Sequence, residues 1–302
     1  SKRANGFITG RKTDMNQASF PLKCKKVRNY RKIAKKTISY IFLVLFALFF
    51  LFPIFCMILQ SLIPDDQLYE FTLIPSSLNF GTYVKAFEDV QLLRYLWNTI
   101  KLVALNILGS AFMSSVTAFG LSKVKFKGRE VVFSIILATV FLPSTVTSIP
   151  LYTMYLKMGW TTTNYPLWVP LLFGGGAMNI FLMRQFMRGI PKTYTEAAIL
   201  DGASNFRIYW NIVLPLIKPI IIFLSVQTFY GVWNDFQGPL MYLEDEAQYT
   251  LSLALYIEYG KTTDPTNLTM AVGVLMMIPC AILFGCFQKQ LMEGVSTVGI
   301  KG

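Results

Sequence analysis

Gln227, Tyr230, Trp233, Asn234 and Asp235 interrupt an otherwise apolar stretch from Pro219 to Tyr242. At about 100° per residue, Gln227, Tyr230 and Asn234 share one helical face. Amides set against hydroxyls, and aromatic planes set against sugar rings, are how a protein can guide a carbohydrate. The same side chains can instead bond to neighbouring helices near the outer interface, since polar groups inside a membrane are costly and seek partners. On the residues alone both uses stand. Asn106, Lys101 and Asn179 pose the same pair of readings, and Lys101 is long enough to snorkel outward. The chemistry that is excluded is broader. The chain has no His, which removes His-ligated haem, His-based zinc sites and His general bases. No acids cluster in a span, so we read the chain as non-catalytic, with no cofactor or metal of its own. Cys24, Cys56, Cys280 and Cys286 form no CxxC pair and read as packing thiols. Gly6 to Thr13 imitates a phosphate-binding loop, but three residues rather than four separate its glycines, an Arg intrudes and no strand precedes it. Nucleotide binding is not assigned there.

Membrane helices must position these residues. The 302-residue chain is 54% hydrophobic and 15% charged, against about 25% charged in an average soluble domain. A span needs roughly 20 apolar residues. Six blocks qualify: Ile38 to Leu59, Tyr95 to Gly120, Val131 to Pro150, Pro166 to Met187, Pro219 to Tyr242 and Met270 to Gln288. The alternating segments of a β-barrel are absent. The first block follows a long tail, exceeds the usual signal-peptide length and lacks a small-x-small cleavage pattern, so it is expected to remain. The expected organisation is a basic cytoplasmic tail over 1–37, a six-helix all-α integral membrane domain over 38–288 and a cytoplasmic C-terminal tail over 289–302.

Charge sets the orientation. With both termini cytoplasmic, 23 of the 28 Lys and Arg fall on the inner side, which satisfies the positive-inside rule. The net charge of +12 therefore reads as a membrane signal and not as nucleic-acid binding. The tail from Lys23 to Lys36 is expected to lie on anionic lipid headgroups, at about 1 kcal/mol per cation.

Between the spans, Gln60 to Arg94 reads as outer turns with a short interfacial helix. Leu151 to Gly159 reads as an amphipathic interfacial segment, and Trp160, Tyr165 and Trp168 as an aromatic belt. Pro53, Pro143 and Pro279 suggest kinks. Gly174-Gly175-Gly176 is expected either to pack tightly against a partner subunit or to break the helix along a pathway. From Arg188 to Lys218 the chain neither spans nor loops. Pro191 opens a helix, Thr193 and Glu196 have capping-box spacing, and Gly202 can stop the helix after Asp201. Ser204 can cap a second helix with Phe206, Tyr209 or Trp210, and Val213 as its apolar stripe. Such a pair can line the inner interface or be gripped by a partner.

Glu196-Ala197-Ala198, Gly202 and Ile212-Val213-Leu214-Pro215 together resemble the Glu-Ala-Ala loop of permeases in binding-protein-dependent ABC importers. The match has the family's spacing and its place between the fourth and fifth spans. Ile190-Pro191, Leu200-Asp201-Gly202-Ala203, Trp233-Asn234-Asp235-Phe236, Pro239-Leu240 and the Gly299 to Gly302 ending resemble the MalG-like sugar permeases. The resemblance covers roughly 38–302. It implies a type I importer transmembrane domain in the bacterial or archaeal cytoplasmic membrane. Its coupling helix–turn–helix lies within 190–215, with Thr193, Glu196, Ala197, Ala198, Asp201, Gly202, Phe206 and Pro215 as contact or shaping residues. The partners implied are a second, MalF-like permease, two ATPase subunits that use ATP and Mg, and an extracytoplasmic solute-binding protein. The acidic segment Glu244 to Thr269 would be a flexible loop reaching into that binding protein. The alternative, an ion-gradient carrier, would want paired intramembrane carboxylates or an internal repeat.

Overall fold

The computed structural model describes residues 30–68, 75–88, 91–257 and 266–299, and among these there are helices, turns and coil but no strand. The phosphate-loop imitation, Cys24 and most of the basic tail lie outside the described residues. Helix α1 (Tyr30–Ser61) starts inside the stretch read as tail and carries Pro53 within it. The chain divides into two compact units, Ser1–Phe52 and Pro53–Gly302. In the first, Phe42, Phe46, Phe49 and Phe50 are all exposed, a surface that only lipid or another apolar partner suits.

In the second unit, α2 (Gly81–Glu88) is the short helix expected in the Gln60 to Arg94 loop. Helix α3 (Leu92–Ser122) is long and apolar enough to cross a membrane, but a π-turn over Leu108–Met113 interrupts its regular winding. The third apolar block does not run straight to Pro150. It breaks at Leu142, where α4 (Arg129–Phe141) and α5 (Ser144–Lys157) meet at 102°. Pro143 pushes Leu142 into an extended conformation (φ −78°, ψ 117°). Pro150 lies inside α5, so Leu151 to Lys157 continues a helix that begins at Ser144 and is not a separate element.

The fourth block, Pro166 to Met187, is not a single span. It forms a 3-10 turn, one turn over Val169–Leu172, a break with positive φ at Gly174, Gly175 and Gly176, and then α6 (Ala177–Arg188). Twelve residues of α6 reach roughly 18 Å, short of a hydrocarbon core about 30 Å thick. Helices α7 (Lys192–Leu200) and α8 (Asn205–Leu216) follow. Helix α8 meets α9 (Lys218–Asn234) at 73°, where Pro215 and Pro219 bracket the bend. The fifth block ends at Asn234 and not at Tyr242. Asp235 turns extended (ψ 118°) and its Oδ1 accepts the Gly238 N–H at 3.1 Å, starting α10 (Gln237–Tyr242). Then come α11 (Leu251–Ile257) and α12 (Thr266–Gly299), which has Pro279 inside it and continues past Gln288. Among the described residues three helices can span unbroken, and five spans result if each bent pair counts as one.

Two larger cores, with a small one of Leu121, Phe133 and Ile180, hold the second unit. One joins Ala118 and Phe119 of α3 to Met183 and Met187 of α6, Ala198 of α7, Tyr209 and Val213 of α8, and Ile220 and Leu224 of α9. The other, at the opposite end of α3 and α9, joins Tyr95 and Val103 to Trp233, Leu251, Ala254, Val272 and Met276. The acidic segment after Glu244 is anchored there. Tyr95 donates to Glu246 at 2.8 Å, Asn98 to the carbonyls of Ala247 and Tyr249, and Leu251 N–H to Thr99 Oγ1 at 2.8 Å. The flexible-loop expectation therefore does not hold for Glu246 to Ile257, where α3 bonds the Glu246 side chain, the carbonyls of Ala247 and Tyr249 and the Leu251 N–H, and α11 follows; residues 258–265 lie outside the described residues.

Asn267 donates to Ile63 O and to Asp65, both at 2.9 Å, and Lys85 reaches Asp65 at 2.6 Å. The hydrogen bond from Lys85, then that from Asn267, holds the Asp65 carboxyl below its ordinary value. A carboxyl whose folded value is depressed stabilises the fold above its unfolded value of 3.8 and loses that contribution as pH falls through the folded one. Thermal melting of the detergent-solubilised protein should therefore drop as pH falls below about 4, and less steeply in Asp65→Asn. The difference should be small, under about 1 kcal/mol, because the Lys85 pair is half exposed.

Candidate functional site

Helix α7 has its N-cap at Pro191, with no side chain capping it. The capping-box expectation fails: Thr193 lies inside the first turn and is exposed, as is Glu196. Proline at the cap fixes an extended entry and so takes over the start signal. The helix ends as expected. Gly202 takes φ +74°, its N–H donates to Ile199 O at 3.0 Å, and Ala203 N–H donates to Ala198 O at 2.9 Å, a Schellman closure. Ser204 then caps α8, accepting the Arg207 N–H at 3.3 Å.

The pair is seated on the bundle by buried groups. Ala198, Ile208, Tyr209 and Val213 enter the first core, and Tyr209 Oη shares a hydrogen bond with Ser115 of α3 at 2.6 Å. Lys123, just past α3, donates to Ile190 O at 3.1 Å; burial first, then the charge of Lys192, lowers its ammonium from the ordinary value. Arg184 of α6, only 2% exposed, donates to Leu121 O at 2.9 Å and bidentately to Glu130 at 2.7 Å. Its guanidinium also lies 3.8 Å from the Phe133 ring centroid. One cation thus ties α3, α4 and α6 together just before the chain enters α7. Sequence reasoning passed over Arg184 because it looked like one more inner-side cation.

The pair leaves several large apolar side chains uncovered among its polar ones. Leu200 is 88% exposed and Phe206 74%, with Tyr194 and Ile199 also exposed. Phe206 stacks on Trp210 (centroids 6.1 Å, 14°). Ala197, Asp201, Gly202 and Pro215 are exposed as well, whereas Ala198 is buried. The expected stripe divides: Tyr209 and Val213 face inward, and Phe206 faces out. Tyr194, Ile199 and Leu200 were absent from the sequence-based set, although their apolar side chains in a polar segment carried the signal.

The polar residues of α9 also divide. Trp233 is buried and donates to Met276 O at 3.1 Å, and Tyr230 donates to Cys280 O at 2.9 Å. Both rings tie α9 to α12. Asp235 caps α10 and stands outside the helix. Gln227 and Asn234 are exposed, and Asn234 donates to Tyr230 O at 2.9 Å. Asn106 and Asn179 donate to Leu102 O and Gly175 O within their own segments. A cleft of about 330 Å³ is lined by Leu102, Asn106, Leu167, Tyr230, Gly231, Asn234 and Asp235. The glycine break packs within the chain: a Cβ on Gly175 would stand 2.3 Å from Ser114 N. So Gly174 to Gly176 both breaks the helix and packs tightly, but against α3 of its own chain.

Long apolar helices, broken helix pairs and apolar outer surfaces define a multi-pass membrane protein. Residues 110–296, more than half of the chain, match the family of binding-protein-dependent transport system inner membrane components, and the chain belongs to that family. It is therefore a permease subunit, with no catalytic step of its own. It is 30% identical to the probable starch degradation products transport system permease AmyC of Thermoanaerobacterium thermosulfurigenes, over 89% of this chain and 98% of that protein. It is also 30% identical to the galactooligosaccharides permease GanQ of Bacillus subtilis, over 92% and 98%. The trehalose/maltose permease MalG of Thermococcus litoralis is 27% identical over 90% and 99%. In fold it is similar to a chain of a bacterial ABC transporter that imports the acidic polysaccharide alginate, with a TM-score of 0.76, 24% identity, and coverage of 87% and 97%.

Proposed function

We propose that this chain is one of two transmembrane subunits of an ATP-driven importer and moves a carbohydrate delivered by a solute-binding protein. In this reading α7 and α8 form the coupling element on the cytoplasmic side. An ATPase subunit grips Leu200, Phe206, Tyr194 and Ile199, and its closure swings α3, α6 and α9 through the first core. Two ATPases hydrolyse ATP with Mg, and a second permease completes the pathway. Thr193 and Glu196 lie exposed on the same helix, while Asp201, Gly202 and Pro215 shape the turn and the exit. The observation that carries the reading is the exposed apolar edge of α7 and α8, seated on the spanning helices by buried groups.

Charge supports the orientation. The basic stretches after α3 and before α7 meet where Lys123 bonds Ile190 O, while Asp65 bonds Asn267 at the start of α12 and Glu246 bonds Tyr95 near the start of α3. A six-span count is retained by treating Tyr165 to Arg188 as a broken span, with both termini cytoplasmic. Family membership favours an ATP-driven importer over an ion-gradient carrier, and the named relatives' oligosaccharides suggest the substrate class. Affinity purification of the full chain from its own membranes, with and without crosslinker, tests the assembly. Two ATPase copies and one further permease should co-purify, and uptake of labelled oligosaccharide should require ATP and the binding protein. Uptake that persists without ATP and collapses with the ion gradient would overturn the proposal.

A further inference from the structure

The break after Asn234 creates a second cleft that the sequence-based residues did not identify. It has a volume of about 710 Å³ and is lined by Asn234, Phe236, Ser252, Leu255, Tyr256, Ile257 and Met276. Phe236 and Tyr256 stack at its wall, with ring centroids 4.7 Å apart and planes inclined by 25°. Tyr256 is 55% exposed, so the pair forms a two-ring platform with an open side. The platform is fixed from behind: Ser252 Oγ donates to Asp235 O at 2.5 Å, which pins α11 to the α9 break and holds the two rings together. Asn234 also lines the smaller cleft beside α3, so one amide stands at the junction of both. It donates one N–H to Tyr230 O, and its Oδ1 has no partner among the described residues.

No charged side chain lines the larger cleft, and the one that lines the smaller is a carboxylate, Asp235. An aromatic plane suits the C–H face of a pyranose, and an open amide suits its hydroxyls. Nothing there neutralises an anion, and the Asp235 carboxylate opposes one. An uncompensated charge brought into such a place is costly.

Building on the proposed carbohydrate function, we propose that the Phe236–Tyr256 platform with Asn234 is a sugar subsite of this chain, and that it selects uncharged saccharides over uronates. A neutral oligosaccharide stacks a ring on the free face of Tyr256 and presents hydroxyls to Asn234 before it passes to the smaller cleft. The alginate importer with the similar fold would then carry different chemistry on the same frame.

The test uses the complete assembly, with its own binding protein, in proteoliposomes. The probes are radiolabelled malto-, galacto- and arabino-oligosaccharides and a mannuronate oligomer of matched length. The wild type should carry at least one neutral probe and not the mannuronate. Tyr256→Leu, which keeps bulk but removes the ring, should slow that transport about tenfold, equivalent to about 1.4 kcal/mol. Tyr256→Phe should keep most of it, and both variants should assemble in wild-type yield. Wild-type transport by Tyr256→Leu, equal loss in Tyr256→Phe, or preferential carriage of the mannuronate overturns the subsite while leaving the importer reading intact. Failure of the wild type to carry any saccharide overturns both.

Discussion

Leu200→Asp should abolish uptake while leaving the chain folded in the membrane. Leu200 sits on the last turn of α7 with 88% of its surface exposed, so its replacement opens no cavity in the chain. The carboxylate adds a mild penalty near the helix C-terminus, about 0.3–1 kcal/mol, too little to unfold a bundle held by two cores. At an interface the balance differs. Burying a leucine side chain contributes about 1.5–3 kcal/mol, and leaving a carboxylate unpaired in its place costs several kcal/mol more. The combined loss corresponds to at least about a hundredfold in affinity. ATPase subunits should therefore no longer co-purify with Leu200→Asp, and ATP-dependent uptake should fall with them, while the solubilised permease elutes as a single peak. Leu200→Ala should give an intermediate loss of roughly tenfold, because only the transfer part is removed. Retention of ATPases at wild-type stoichiometry in Leu200→Asp would place the coupling contact elsewhere on the chain.

The sequence made the helical, membrane-embedded class legible because hydrophobicity came in long blocks, and it marked α7 through Gly202 and Ser204. It misled wherever a block hid a backbone event. The fourth block is apolar enough to count as a span, yet three consecutive glycines take positive φ and end the helix. Apolar counting registers hydrophobicity and is blind to dihedral angles. Likewise Asp235 looked like a charge within a span, but a short side chain just after a helix can accept an amide and begin the next element. Trp233 and Tyr230 looked like pathway residues by type. Their N–H and O–H are spent on carbonyls of α12, a pairing between residues some forty to fifty positions apart that helical periodicity cannot reveal. Thr193 and Glu196 had capping-box spacing but lost the start of α7 to Pro191, whose fixed φ needs no side-chain partner. The platform of Phe236 and Tyr256 escaped notice for a related reason: the two rings come from different elements, and only the break after Asn234 brings them face to face.

Gly175→Ala should prevent the bundle from forming, because two costs of replacing a positive-φ glycine, dihedral and steric, add at this position. Gly175 and Gly202 share the left-handed region, at φ +86° and +74°. An alanine there costs about 1–2 kcal/mol from its own Cβ. At Gly202 nothing lies within 4 Å of the added atom, so Gly202→Ala should incur that cost alone and still yield folded protein. At Gly175 the same atom would stand 2.3 Å from Ser114 N and 2.6 Å from Ser114 Cα. Those are backbone atoms of α3 just past its π-turn, and no rotamer change moves them away. The two segments must separate, and that pulls apart α3 and α6, whose Ala118, Phe119, Met183 and Met187 share the first core. Overpacking adds about 1–3 kcal/mol or more to the dihedral cost, so the total approaches what a marginally stable domain has in reserve. Fluorescence-detected size-exclusion of the detergent-solubilised chain should show a monodisperse peak for Gly202→Ala and aggregate for Gly175→Ala. Adding Ser114→Gly should fail to rescue the latter, since it removes a side chain and leaves the obstructing N and Cα in place. A rescued peak would mean that the serine side chain, and not the close approach of the two backbones, sets the spacing between α3 and the glycine break.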